Sequence, residues 1–584
     1  MYVPFISGKP TKHLFNISLE AMSGIAHSLK VGIDFGTTYS GVAWAHTATP
    51  HEINVIQKWP SGDNATTDKV PTELKYYPDG YKWGCEVSLE VEKLVWIKLL
   101  LDPSQDSFSD ELLAKTKALI PPGKEPVHLV IDFLTKLKAH IEDVLEGHFG
   151  KALLAITPIE YFLTVPAVWS DSAKAQTLHA AEVVGLGTKN NLRLISEPEA
   201  AAVYSLKAIQ PNMLKVTDTF VVADCGGGTV DLISYEVTRL EPKLEVKECV
   251  IGSGGMCGST YINRRFEAWV KNRIGVTQFN NQRPRSRVHM MKHFEEFLKR
   301  KFADDPSQLI YHCPVPGIKD DEFAGVEDGF LSISRAEMRE IFDPVVNDVL
   351  KLVQQQVAGV EACGRKVSAV LLVGGFGASA YLKVRLKSDV CDPKMIALMN
   401  PVNAWSAVAS GACQRGLEGV SMVKNQLARR SYGVLCVMKH NGTAGAKGQR
   451  KHVFVDPMTG ELKIDNRVSW FIKKGDIISE EKAVTYPFYF TLGMEHNLFV
   501  ENTLLACEMG NFPKNAKNPH VFTVCKLKTN LNVVPRELFD KRIAENGQPY
   551  YHIQFNLSMK IQNALVFAFE FKGKTYSSVE ATFA

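Results

Sequence analysis

Long apolar runs are missing from this chain. The nearest approach, residues 94–101, is too short and carries Lys98, so no membrane span is expected. C-x-x-C pairs and zinc-like His spacings are missing too. The eleven cysteines are scattered, which points to reduced thiols in the cytosol or nucleus. A strong excess of one charge is also lacking. A formal charge of +4 over 584 residues argues against a nucleic-acid protein built on a basic face. No G-x-x-x-x-G-K-[ST] run occurs, which excludes a P-loop NTPase. Residues 1–30 show no basic segment followed by an apolar one. They read as a loose extension before the first strand rather than a signal peptide. What is present is ordinary for a globular chain, 45% hydrophobic and 22% charged, and the length supports several cores.

The most informative stretch is residues 219–237, TFVVADCGGGTVDLISYEV. Residues 220–223 are apolar and β-branched, as in a buried strand. The strand ends on Asp224; Gly226, Gly227 and Gly228 then form a tight turn, and a second strand begins at Thr229. Three glycines weaken such a hairpin, but they leave bare backbone N–H groups that a phosphate can approach. Asp224 is placed to hold a metal-bound water, and Thr229 can supply a hydroxyl. The chain carries the device twice. Residues 31–45, VGIDFGTTYSGVAWA, superpose Asp34 on Asp224, Gly36 on Gly226, and Thr37 and Thr38 on Gly227 and Gly228. A purely structural hairpin needs no copy with an Asp at the same strand end. Two copies roughly 190 residues apart suggest two similar half-domains facing one cleft, with a nucleotide and its metal between them.

Three further elements suit that cleft. Residues 369–377, AVLLVGGFG, form a strand ending in Gly374 and Gly375, against which a flat base or ribose can lie. Glu197 stands between the strand 192–196 and Pro198; the proline suits the first turn of a helix over 199–206 and keeps Glu197 extended. Helical periodicity over 288–302 puts Glu296, Lys299 and Arg300 at i, i+3 and i+4 on one face, which alone would also suit a solvated face with internal ion pairs.

With TVPAVWSDSAKAQTLHAAEVVGL and LISEPEAAAVYSL added, these elements resemble, in order, the ATPase domain of the 70-kDa heat-shock chaperone family, one of the actin-like ATPases. The resemblance covers about residues 29–417. It implies an α/β, two-lobed actin-like ATPase domain binding ATP and Mg²⁺ in its cleft. Asp34 and Asp224 resemble the family's aspartates near the metal. Gly36, Thr37, Thr38, Gly226, Gly227, Gly228 and Thr229 resemble its phosphate contacts, and Glu197 the carboxylate near the attacking water. Gly258 resembles its ribose-side glycine, Glu296, Lys299 and Arg300 its adenine-cradling helix, and Gly374 and Gly375 the Gly pair across the base.

The chain also departs from the family. Ser88 stands where a catalytic Lys is expected four residues after Gly84, Ala303 where a Ser meets the base, and Val402 where an Asp follows Asn400 and Pro401. Phe376, Gly377 and Ala378 include no base-stacking Arg. These departures predict ATP binding with a weak ATPase activity. Beyond residue 418, short β-patterned segments (432–438, 468–472, 484–492, 521–527 and 564–571) read as a β sandwich without the family's acidic linker or helical lid. The expected organisation is an extension (1–28), the ATPase domain (29–418), a linker (419–431) and a C-terminal β-rich domain (432–584), similar to a lid-less branch of the family. The function implied is that of an ATP-dependent chaperone-like protein. Its partners would be an unfolded client protein or peptide and co-chaperones, with neither nucleic acid nor membrane. A nearly inactive nucleotide-binding scaffold or sensor, and a small-molecule kinase of the same superfamily, are the alternatives.

Overall fold

The computed structural model describes residues 27–62, 66–102, 111–188, 191–208, 214–440, 452–479, 482–561, 564–576 and 579–583. The expected N-terminal extension lies outside them, apart from its last two residues.

Two sheets of matching order form the heart of residues 29–418. In the first, Leu29–Asp34 lies antiparallel to Tyr39–His46 on one side and parallel to Ile159–Val165 on the other, with Leu192–Ser196 beyond. In the second, Thr219–Cys225 lies antiparallel to Val230–Arg239 and parallel to Val367–Val373, with Ala397–Met399 beyond. Both central strands are buried on both faces, which explains their unbroken apolar runs. The first ends on Asp34 and the second runs one residue past Asp224 to Cys225, each leading into a hairpin, so the repeat seen in the sequence is a repeat of topology.

Asp171–Val183, capped by the Ser170 hydroxyl, follows the first lobe's strand Ile159–Val165. Glu197–Ala208 begins on Glu197 itself, two residues earlier than proline placement predicts. The 28-residue helix Arg335–Ala362 starts with a reciprocal capping box between Ser334 and Glu337 and packs its apolar stripe into the second lobe's core.

The stretch expected to be a linker, residues 419–431, contains the five-residue strand Val423–Leu427. Val423–Leu427 pairs parallel with Glu245–Gly255 at the end of the second lobe's sheet. Ile477–Ser479, from the C-terminal domain, pairs on its other side. Among the described residues the C-terminal domain is an antiparallel sandwich of a six-stranded and a five-stranded sheet around a core that includes Val434, Leu504, Ile553 and Phe569. It sits against Asp171–Val183: Tyr432 Oη donates to Asp171 Oδ2 at 2.9 Å, and Arg430 lies 3.6 Å from the same carboxylate. Among the described residues no helix is long and apolar enough to cross a membrane.

Candidate functional site: a cleft between two aspartate–glycine turns

The two turns face each other directly. A side-chain carbon added to Gly227 would fall 2.1 Å from Thr38 Oγ1, and one added to Gly228 would fall 2.7 Å from Thr37 Cγ2. Between the lobes lies a cavity of about 300 Å³. Its lining includes Asp34, Gly36, Thr37, Thr38, Glu197, Asp224, Gly226, Gly227, Gly228 and Thr229, and at its other end Lys299, Arg300, Gly374 and Gly375. Gly374 has φ +83°, and a side chain there would strike Asp224 Oδ1 at 2.5 Å, so only glycine fits.

Residues 258–260 strap the second turn from behind. Ser259 N donates to Gly226 O, Thr260 N and Oγ1 to Gly227 O, and Gly258 N to Gly228 O, at 2.7–3.2 Å. In a planar trans peptide the N–H points opposite to its C=O. Occupying these carbonyls therefore turns the N–H groups of Gly227, Gly228 and Thr229 away from the strap. Gly258 is part of this buttress: Ser259 and Thr260 beside it line the cavity, and Gly258 itself does not. A side chain there would fall 2.3 Å from Gly227 O.

The expected place of Glu296 is corrected. The helix does not run evenly: Pro284–His293 is α-helical, but Phe294–Leu298 is a π turn, with Lys299 N donating to Phe294 O. The wider turn carries Glu296 outward to the solvent side, where its carboxylate is 3.9 Å from Lys292. Glu295 lines the cavity instead, 3.5 Å from Lys299 Nζ, which also donates to Asn263 at 2.9 Å.

The missing lysine is also corrected. Ser88 lies on an exposed turn outside the cavity, its hydroxyl accepting from Glu90 N. Lys98, ten residues further on, is 1% exposed and donates to Glu197 inside the cavity. Its ammonium stands 5.3 Å from the Trp169 ring centroid and 5.8 Å from that of Phe35, aromatic walls that favour a cation. By sequence, Lys98 is a candidate substitute for the missing lysine, with Lys82 and Lys93; two residues escaped the sequence reading. Lys69 ion-pairs with Asp34 Oδ2 at 2.5 Å. Asp231, paired in register with Asp224, is buried, and its Oδ1 has no hydrogen-bond partner among the described residues. Its signal was there in the Thr-Val-Asp after the glycines, where strand alternation puts residues 229 and 231 on one face.

Burial and like charge set the electrostatics. Desolvation pushes Glu197 up to about 7, with Lys98 opposing. Asp224 is driven well above the usual carboxylate range by burial and by Glu197, Asp34 and Asp231, with Lys69 opposing. Burial raises Asp231 to about 6, against Lys98 and the Thr229 hydroxyl. Four carboxylates thus face two lysines.

This donor set fits Mg²⁺. It is all oxygen, it carries excess negative charge, and Asp231 keeps an orphaned buried oxygen. Among the described residues no three His, Cys, Asp or Glu side chains cluster to hold a metal alone. That suits an ion shared between one or two carboxylates and phosphate oxygens.

At the Arg300 end of the cavity, Trp405 forms part of the wall. Arg300 Cζ is 6.0 Å over its ring, Tyr39 meets it edge-on at 5.9 Å, and a side chain on Gly375 would lie 3.4 Å from its edge. Ala378 lines the cavity, whereas Val402 is fully exposed outside it.

Two lobes of matching sheet order, each presenting an Asp–Gly turn to a shared cleft, define an actin-like ATPase fold. The sequence profile of the Hsp70 protein family matches residues 123–425, and that of a domain of unknown function, DUF8568, matches residues 426–578. The chain belongs to the Hsp70 family, with an Hsp70 nucleotide-binding domain followed by a C-terminal β-rich region. It is 24% identical to the human (Homo sapiens) heat shock 70 kDa protein 12B over 70% of this chain and 71% of that protein. It is 25% identical to human heat shock 70 kDa protein 12A over 69% and 71%. A chaperone protein HscA homolog of Laribacter hongkongensis is 27% identical over 60% of this chain and 52% of its own length.

Proposed function

We propose that this protein binds ATP with Mg²⁺ between the two glycine turns and hydrolyses it, and that nucleotide state sets the posture of the C-terminal sandwich in a chaperone-like cycle. The observation that carries this reading is the Lys98–Glu197 pair, buried inside the cleft that the two turns enclose.

In this proposal Asp34 and Asp224 hold the metal, which would neutralise phosphate charge. The N–H groups of Gly227, Gly228 and Thr229, with the Thr37 and Thr38 hydroxyls, bind the phosphates. Glu197 orients a water and takes up its proton, while Lys98 keeps that carboxylate ionised and offers positive charge where negative charge develops. Phosphoryl transfer depends chiefly on such positioning and charge stabilisation. Slow turnover was expected from the absence of this lysine, and with Lys98 in place that expectation loses its ground.

We place the ATPase unit up to about residue 425, and we assign a peptide or unfolded client to the sandwich and co-chaperones to the assembly. Ten of the eleven cysteines, Cys85 aside, are free thiols, which supports a reducing compartment such as the cytosol or nucleus. The test is ATP affinity together with single-turnover hydrolysis, with and without an unfolded peptide. Failure to bind Mg–ATP overturns the reading. Binding without turnover leaves a nucleotide-sensing scaffold.

A further inference from the structure

We propose that Lys69 is a phosphate-binding cation built into the cleft beside Asp34, so that the protein holds a nucleoside polyphosphate even when the divalent metal is removed. This rests on the nucleotide reading above and adds to it a ligand that the motifs do not contain.

The placement is structural, not incidental. Lys69 opens the short strand Lys69–Pro71, which pairs with Tyr39–His46 directly behind the first turn, with Lys69 opposite Gly41. Thr72 N donates to Thr38 O at 2.8 Å, and the hydroxyls of Ser40 and Thr72 meet at 2.9 Å, tying this strand to the turn itself. The lysine stem runs over Gly41, where a side-chain carbon would fall 3.0 Å from its Cγ and 3.5 Å from its Cε. The glycine leaves the channel through which the ammonium reaches the cavity floor.

There Lys69 Nζ sits 2.5 Å from Asp34 Oδ2, both side chains under a tenth exposed, while the Thr164 hydroxyl lies 3.5 Å from Oδ1. An ammonium carries three donors. Among the described residues Lys69 spends one of them, on Asp34, while lining the cavity beside Thr37 and Thr38. Burying an ion pair contributes little net stability, because desolvation cancels most of the attraction. Stability is therefore a poor reason to bring a lysine to this carboxylate. Charge is a better one. With Glu197 and Asp224 also lining the cavity and Asp231 buried behind it, an incoming polyphosphate meets three acids, and Lys98 is already engaged with Glu197. A second fixed cation lowers that repulsion without a metal and can donate a charge-assisted hydrogen bond to a phosphate oxygen.

The experiment measures the ATP dissociation constant by calorimetry in excess Mg²⁺ and in excess chelator, for wild type, Lys69→Met and Lys69→Arg. Chelation is expected to weaken wild type and Lys69→Arg by less than about thirtyfold, but Lys69→Met by more than about a hundredfold. In Mg²⁺ all three are expected to stay within about tenfold of one another. A wild-type loss above about thirtyfold on chelation overturns the proposal, and so does an equal chelation ratio for wild type and Lys69→Met. If Lys69→Met fails to fold, as judged by its circular dichroism melt, the wild-type ratio decides alone. Wild type that does not bind Mg–ATP at all refutes the nucleotide reading instead; wild type that binds in Mg²⁺ but not in chelator refutes only the role of Lys69.

Discussion

Lys98→Met is the substitution that tests the chemistry most directly. Methionine keeps the length and most of the volume of the side chain that lies between Phe35 and Trp169, so packing changes little while the charge disappears. Two effects then add. The positive charge beside the reacting phosphate is lost, and deleting one such preorganised contact costs roughly 3–4 kcal/mol, or about two to three decades in rate. Glu197 also loses the cation that opposes its desolvation, so its carboxyl, already raised to about 7, rises further and protonates at neutral pH. Hydrolysis by wild type should therefore fall as pH drops from 8 through 7 to 6, because only ionised Glu197 accepts a proton. In Lys98→Met this fall should begin at higher pH. Binding should change far less than turnover, since the phosphates keep their glycine-turn amides. The assay is single-turnover phosphate release from pH 6 to 9, with ATP affinity measured in parallel and Ser88→Lys as a control expected to gain nothing. A Lys98→Met rate within about fivefold of wild type, with an unshifted acid limb, would refute the assignment.

Gly227→Val should lower ATP affinity more than a hundredfold in a calorimetric titration, because its side chain occupies the space of the Thr38 hydroxyl and of the phosphate. Gly258→Ala should also weaken binding although it is outside the cavity, since the added carbon collides with Gly227 O and tilts the turn; unchanged affinity would contradict the buttress. Trp405→Ala should cost about 1–3 kcal/mol of affinity for ATP and GTP alike, because stacking tolerates any base. An ATP preference above about a thousandfold in wild type would contradict that tolerance. Arg429→Ala should loosen the sandwich, read as faster hydrogen exchange in Val423–Leu427; unchanged protection would rule out Arg429 as the anchor.

The two Asp–Gly turns were legible because their signal is local: an apolar strand, an Asp, and glycines that leave backbone bare. The β-rich character of the C-terminal region was legible from short patterned segments. The strand Pro549–Ile561 was overlooked although Tyr551, Ile553, Phe555, Leu557, Met559 and Ile561 alternate with period two. Other features depend on what the chain does between motifs. Lys98 reaches Glu197 after a turn at Trp96, which holds φ +57°, a conformation that no spacing rule from Gly84 anticipates for tryptophan. Glu295 replaces Glu296 because five residues adopt a π turn, which 3.6-residue periodicity cannot register. Lys69 stood at the end of a polar loop, where a charged residue reads as solvated until strand pairing carries it inward.

The same dependence on context alters how the two domains can communicate. A linker was expected over residues 419–431, lacking the family's acidic stretch. Instead, Val423–Leu427 is bonded into the second lobe's sheet and followed at once by Ala428, Arg429 and Arg430. Arg429 pairs with Glu248 at 3.0 Å and donates to Ala167 O at 3.1 Å, an oxygen that Lys174 also approaches at 3.2 Å. Both cations act on Asp231: burial raises this carboxyl, and Lys98, the Thr229 hydroxyl, Arg429 and Lys174 pull it back. Asp231 is therefore under the influence of Lys98 on one side and of the root of the sandwich on the other. Binding free energies linked in this way are reciprocal. If docking through Arg429 favours the ionised form of Asp231, then whatever favours that ionised form in the cleft must favour docking by the same factor. A rigid strand with buried charges can carry that coupling where a floppy linker would dissipate it, and a lid is not required for it.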